Sequence, residues 1–191
     1  STAMKITPIL AAMLLLVTLR VDAAANVTRE GVGFGAVREV HGKPVSLKGT
    51  GLITYLGVFK LSVAGFYLPP GVPAEQALSE VPRRLEIEYL HAIRKENFAE
   101  STRVWIRKNT SEAEFARLRP QIERFNAFYE DVSPGDRYTL TYDPAVGTTL
   151  LLNGEEKGRI EGDAFSAALF SIWIGRKPLS DRLRADLLGL T

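Results

Sequence analysis

The sequence predicts an α+β fold: an antiparallel sheet with a layer of helices on one face. Three observations carry this. First, turn-punctuated β-like segments run from Val27 to Tyr89, a helix pair follows, and further strands precede two closing helices. Strands and helices grouped in separate runs mark α+β chains. Second, Leu85, Ile87 and Tyr89 alternate with Arg84, Glu86 and Glu88, as on a strand with one solvated face. Third, the segment from Phe165 to Ile174 is apolar on almost every side, and such a helix has to be covered.

Taken in order, residues 1–3 precede Met4 and read as a remnant of cloning. Residues 4–25 read as an export leader. Met4-Lys5 forms a minimal basic start, Ile6 to Leu19 an apolar stretch, and Ala23-Ala24-Ala25 a small-residue cleavage site. The apolar stretch is shorter than the roughly 20 residues a spanning helix needs. The mature domain is therefore expected to run from 26 to 191, in the periplasm. An uncleaved anchor is the rival reading, supported by Arg20 and Asp22 beside the cleavage site. Membrane contact is expected only in that case.

Charge and composition exclude several function classes. Without Lys5, Arg20 and Asp22, the 24 basic and 22 acidic residues become 22 and 21. A near-neutral domain lacks the basic stripe of a nucleic-acid binder. With no cysteine and only His41 and His91, neither a disulfide framework nor a metal site is indicated. Gly31-Val32-Gly33-Phe34-Gly35 has the wrong spacing for a dinucleotide fingerprint, and no helix follows it. The sequence calls for no cofactor and names no protein partner.

Along the mature chain, Val27 to Leu47 is β-like with a turn at His41-Gly42. Two long apolar strands occupy Val45 to Leu68, ended by Pro69-Pro70-Gly71. A short helix is expected at Ala74 to Leu78, then the alternating strand. The first long helix is expected from Asn97 to Lys108, with Phe98, Thr102, Trp105 and Ile106 inward. Ser111 and Glu114 form a capping box for the second helix, whose inner stripe is Phe115, Leu118, Ile122, Phe125 and Tyr129. Pro120 should kink or interrupt it. Tyr138 to Tyr142 alternates as a strand, and Asn153-Gly154 predicts a tight hairpin turn. Asp163 stands at an expected N-cap, Gly175 at an expected helix end, and Ser180 opens the last helix.

The segments VFKLSVAGFYLPPG, GDRYTLTYDPAVGTTLLLNG and GDAFSAALFSIWIGRKPLSDRLRADLLG, with the helix pair between the first two, resemble the bacterial chalcone-isomerase-like family. The resemblance spans essentially the whole mature chain. It implies an open-faced β-sandwich with a cleft between sheet and helices. That family includes plant isomerases that close chalcones to flavanones and relatives that bind fatty acids.

The resemblance also places the isomerase machinery on this chain. The strand arginine falls near Ile53, within Gly51-Leu52-Ile53-Thr54, and the strand threonine on Ser62. The helix tyrosine falls on Phe115, the lysine and asparagine near Leu118 and Ile122, and the late threonine on Ile172. Cyclisation needs a phenolate held and a developing enolate stabilised by cations and hydroxyls. Apart from Ser62, these positions offer neither, so no catalytic residue is assigned. The fatty-acid binders' arginine and tyrosine clamp is missing as well.

The leading expectation is a non-catalytic periplasmic protein holding a small apolar, lipid-like or polyketide-like ligand. Its cleft would be lined by Ile53, Thr54, Ser62, Phe115, Leu118, Ile122 and Ile172, with Thr54 and Ser62 as its polar groups. The alternatives are a packed structural or interaction protein whose cleft is filled by its own side chains, and an isomerase or lyase using other residues.

Overall fold

The fold is given by a computed structural model, which describes residues 26–191. The predicted leader and residues 1–3 lie outside the described residues. A small hairpin, β1 (Val27–Arg29) and β2 (Val32–Phe34), precedes a seven-stranded antiparallel sheet. Its strands are β3 (Val37–Val40), β4 (Lys43–Tyr55), β5 (Phe59–Leu68), β6 (Arg83–Tyr89), β7 (Arg137–Asp143), β8 (Gly147–Leu152) and β9 (Glu155–Ile160), each paired with the next in sequence. A single 3-10 turn, Ala74–Gln76, stands where a short helix is expected. Helices α1 (Lys95–Asn109) and α2 (Glu112–Asn126) are inserted between β6 and β7, and α3 (Asp163–Ile174) and α4 (Asp181–Leu188) close the chain.

The tight turns follow from sequence. Glu30-Gly31, His41-Gly42, Leu56-Gly57 and Asn153-Gly154 all have positive φ at both residues. That geometry twists the chain in the sense that neighbouring strands need. Three of the four first residues are polar, and Leu56 is the exception.

One face of the sheet carries Ala64, Phe66 and Leu68 of β5, Leu85 and Ile87 of β6, Leu140 and Tyr142 of β7, and Leu150 of β8. These join the helices in one core. The apolar-all-round α3 lies in its middle, packed on α1, α2, α4 and β8. Burying each such side chain contributes about 1.5–3 kcal/mol. Helix α4 rests directly on β4. A Cβ at Gly49 would run into the main-chain carbonyl of Asp186, and one at Gly51 would meet Leu183 at 2.6 Å. Gly49→Ala is therefore expected to push α4 off the sheet and cost about 1–3 kcal/mol, which urea unfolding measures.

The other face is covered too, which the sequence pattern did not foresee. The β1–β2 hairpin lies on it, with the Phe34 ring filling the space where a Gly65 side chain would be. Beside it the buried Glu86 carboxylate accepts from Arg38 at 2.8 Å, Arg84 at 2.9 Å and Arg137 at 2.7 Å. Burial favours protonation of Glu86, but Arg84 and Arg38 outweigh it and hold its pKa below the ordinary carboxylate value. The sheet curls toward this side, and Lys43 at the start of β4 reaches Asp143 at the end of β7 at 2.8 Å. Hairpin and ion pairs together close this face.

Several local expectations need correcting. Asp163 is the first helical residue and Gly162 the cap; the Asp163 carboxylate instead accepts the Tyr142 hydroxyl. Gly175 ends α3 in an extended conformation, and its hydrogen is needed because a Cβ would sit 2.6 Å from Ser171. Pro120 does not interrupt α2. It and Ala116, whose carbonyl it leaves without an N–H, both lie on the exposed side, where water takes over. Ser111 and Ser180 do cap their helices, accepting from the Glu114 and Leu183 amides at 3.1 and 3.0 Å.

Candidate functional site

The candidate site is the end of the sheet–helix layer where Tyr89 of β6 meets Phe98 of α1, beside the paired ends of β5 and β4. Antiparallel register sets Ile53 beside Ser62 and Ser62 beside Tyr89. Period-two alternation then puts Ser62 and Tyr89 on the same face as Ala64 and Ile87, toward the helices. From α1, Phe98 meets Tyr89 edge-on at 5.2 Å and Tyr138 at 5.4 Å, and stacks on Tyr129 at 5.3 Å. Edge-to-face and offset pairs of this kind contribute about 0.5–1.5 kcal/mol each beyond their buried area. Ile53, Ile93 and Phe98 are only half-buried and form the rim, while Ser62, Tyr89, Thr102, Tyr129 and Tyr138 lie beneath.

The polar groups here are neutral. Thr102 Oγ1 and the Tyr129 hydroxyl share a hydrogen bond of 2.8 Å. The Tyr138 hydroxyl donates to the Glu130 carbonyl at 2.9 Å and accepts the Glu130 amide at 2.8 Å. Burial raises the pKa of Tyr89, Tyr129 and Tyr138 above the ordinary phenol value, and neighbouring phenols push Tyr89 further. Near neutral pH these tyrosines can donate a hydrogen bond but cannot serve as bases.

That shift has a consequence for stability. Burial also raises Tyr67, to about 12, and Tyr142. Each raised tyrosine keeps its proton in the fold after the unfolded chain has lost it. The stability they contribute is complete below pH ~10 and is lost above it, at about 1.4 kcal/mol per pH unit for each such group. Alkaline unfolding followed by phenolate absorbance is expected to show tyrosine ionisation and loss of fold as one transition.

The structure distributes the sequence-derived lining residues over four places. Ile53 and Ser62 belong to the site just described. Thr54 is exposed, on the far side of a register shift between Ile53 and Thr54. Leu118, Ile122 and Ile172 are packed in the main core, Ile122 with no exposure at all. No part of the Ile122 side chain faces open space. Phe115 forms the floor of a solvent-facing groove of about 720 Å³ between α1 and α2, beneath Arg107, whose guanidinium lies 4.3 Å from the ring centre. Across that groove Arg103 and Glu123 pair at 2.8 and 2.7 Å. Helix α2 packs on β9, α1 and α3, and the helical side chain seen in ring contact with Tyr89 is Phe98 of α1.

Phe98 and Thr102 were legible as inward positions on α1; Tyr129 was expected as the last of the second helix's stripe, but α2 ends at Asn126 and Tyr129 lies just beyond it. That they meet across 27 residues, beside Tyr89, was not, because only the helix crossing brings them together. Among the described residues, no group of three His, Asp or Glu side chains could hold a metal ion, and no helix is long and apolar enough to cross a membrane.

The fold and sequence can be set against known proteins. Among solved structures, the fatty-acid binding protein of Arabidopsis thaliana superposes with a TM-score of 0.68 at 15% identity, over 87% of this chain and 97% of that one. A likeness at that identity establishes the curled seven-stranded sheet with its four helices as a shared fold. No curated protein matches the sequence. The profile of the chalcone isomerase-like family matches residues 26–189, nearly the whole of the described chain, and the protein belongs to that family.

Proposed function

We propose that the protein is a non-catalytic, periplasmic binder of a small apolar, lipid-like ligand, held between the sheet and α1. One observation carries this reading. The α1 end of the layer, where Ile53, Ile93 and Phe98 are half-buried at the edge, is lined by aromatic and aliphatic side chains and by hydroxyls that stay neutral. Such a wall solvates hydrocarbon and can hydrogen-bond one polar group, the usual composition of a small-molecule site. It provides no cation for an enolate or phenolate and no base near neutral pH. A chalcone is accordingly expected to show no cyclisation above the buffer rate, followed by its absorbance.

The plant fatty-acid binding neighbour supports the ligand class, and the predicted leader supports the compartment. Ile53 and Ser62 are the lining residues retained in this proposal; Leu118, Ile122 and Ile172 hold the helix layer, and Thr54 sits at the outer rim. Native mass spectrometry of protein purified from the periplasm tests the reading. A retained lipid-like adduct is expected, and protein that is empty in every preparation contradicts it.

A second reading, a packed interaction protein with a filled cleft, draws on the complete burial of Ile122 and the near-complete burial of Ile172. Those residues lie in the α2–α3 part of the layer, away from the rim. They describe that part as core without closing the α1 end.

A further inference from the structure

The groove between α1 and α2 is built from one face of each helix. Arg103, Arg107 and Lys108 line it from α1; Phe115, Arg119 and Glu123, each one turn from the next, line it from α2. Two contacts fix how the faces meet. Arg103 pairs with Glu123 at 2.8 and 2.7 Å, and the Arg107 guanidinium lies 4.3 Å from the Phe115 ring centre. Arg119 stands midway between Phe115 and Glu123, so it faces the turn of α1 between Arg107 and Arg103. At one end of the groove a cation meets a carboxylate; in the middle, cation faces cation. Hydrogen bonds from Arg103 hold the Glu123 carboxyl below its ordinary pKa, and Arg119 adds only its charge. Among the described residues, neither Arg119 nor Lys108 forms an ion pair.

The charge balance around this end is positive. The Asn109 side chain bonds the Lys177 main chain through its carbonyl and its amide, both at 2.9 Å, and so brings Arg176 and Lys177 to the end of α1. Arg107, Lys108, Arg119, Arg176 and Lys177 are all exposed. The acids here are Glu112, 3.5 Å from Arg107, with Glu114 in the same first turn of α2 and Asp181 at the start of α4. Five cations against three acids leave an excess of two. Arg107 and Lys108 also complement the carbonyl end of α1, but Arg119 lies mid-helix and has no such role. Below the cations the floor is apolar: Val104 is 39% exposed, beside the Phe115 ring. The groove's volume of about 720 Å³ lies within the range of small-molecule sites, roughly 300–1,000 Å³.

We propose that the α1–α2 groove is a second binding site, for a small organic anion with an apolar body. Its anionic head is held between Arg119 and Arg107, with Lys108 beside it, because guanidinium N–H donors grip such a group in pairs. Its body lies along Val104 and Phe115. The α1 end of the sheet–helix layer is neutral and this groove is cationic, so the two select opposite ligands. Neither depends on the other being occupied.

The test is calorimetric titration of the full chain with 2-naphthoate and with its neutral amide, comparing wild type, Arg119→Gln and Arg119→Glu. Wild type is expected to bind the carboxylate about tenfold or more tighter than the amide, the factor for a hydrogen bond to a charged group. Arg119→Gln is expected to lose that preference, and Arg119→Glu to bind no carboxylate. The melting temperature of Arg119→Glu is expected to be unchanged or higher, because its carboxylate meets Arg103 and Arg107 where a like charge stood. Loss of binding would then not be loss of fold. Absence of naphthoate binding by wild type overturns the proposal. So does an amide that binds wild type as tightly as the acid, or a preference for the acid that survives both substitutions.

Discussion

Arg83→Ala is expected to cost about 3–5 kcal/mol, the range for breaking a buried charged network. Arg83 is 1% exposed on β6, and its guanidinium lies between the rings of Tyr142 at 4.2 Å and Phe170 at 4.9 Å. It donates to the Ala77 and Ser79 carbonyls at 3.1 and 2.7 Å and to Ser166 Oγ at 2.9 Å. Alanine would leave those acceptors without a donor and open a cavity under the first turns of α3. Burial lowers the pKa of Arg83 to about 10, with Tyr142 and Asp163 opposing the shift. A depressed cation destabilises the fold while it stays charged, and that cost fades as pH rises through about 10 toward the ordinary arginine value. The sign is opposite to that of the five raised tyrosines, which outnumber it, so the net alkaline trend remains a loss of stability. Chemical denaturation of wild type and variant at neutral pH measures the first effect.

Ile122→Ala is the second substitution with a large expected effect, about 2–5 kcal/mol. Ile122 is fully buried on α2 among side chains that reach α3. Its loss should lower the unfolding midpoint and leave any ligand at the α1 end in place. Phe98→Ala should lose the ligand as well as stability, because Phe98 is half-buried at the rim and makes three ring contacts.

For the proposed binder, the neutrality of the site also sets which ligand chemistry is expected. Where a cation anchors a fatty acid, the carboxylate outbinds its neutral alcohol. Here Ser62, Tyr89, Thr102 and Tyr129 supply only hydroxyls. A long-chain alcohol is therefore expected to bind at least as tightly as the corresponding acid, and calorimetric titration of the two reads the order directly.

Most of the fold was legible in the sequence because the patterns that specify it are local. Leu85, Ile87 and Tyr89 announce a strand by alternation, Asn153-Gly154 a turn by its required φ, and Ser111 and Ser180 helix starts by their hydroxyls. The errors arose where a long-range partner decided the outcome. Asp163 has the right chemistry for an N-cap, yet its carboxylate is engaged by Tyr142 from a neighbouring strand. Gly175 resembles a left-handed helix end, but close packing on Ser171 is what requires it. Pro120 is tolerated because α2 turns that side to water.

The site was legible only in part, for the same reason. Ile53 and Ser62 sit on adjacent strands whose pairing follows from a hairpin, so their proximity could be anticipated. Which helix lies over them depends on how the helix pair crosses the sheet. Nothing in the stripe of Phe115, Leu118 and Ile122 distinguishes packing on β9 from packing on β5. The exposed tip at Leu56 was in plain view as sequence, within what read as a continuous apolar strand pair. Only the structure shows it to be a turn.

The central claim is that an apolar ligand sits between α1 and the β4–β6 end of the sheet. Its most direct test is native mass spectrometry of periplasmic wild type, Phe98→Trp and Ile122→Ala side by side. A lipid-like adduct is expected on wild type and Ile122→Ala, and its loss from Phe98→Trp, whose larger ring fills the rim. An adduct that Phe98→Trp retains and Ile122→Ala loses would contradict the claim and place the ligand in the α2–α3 core.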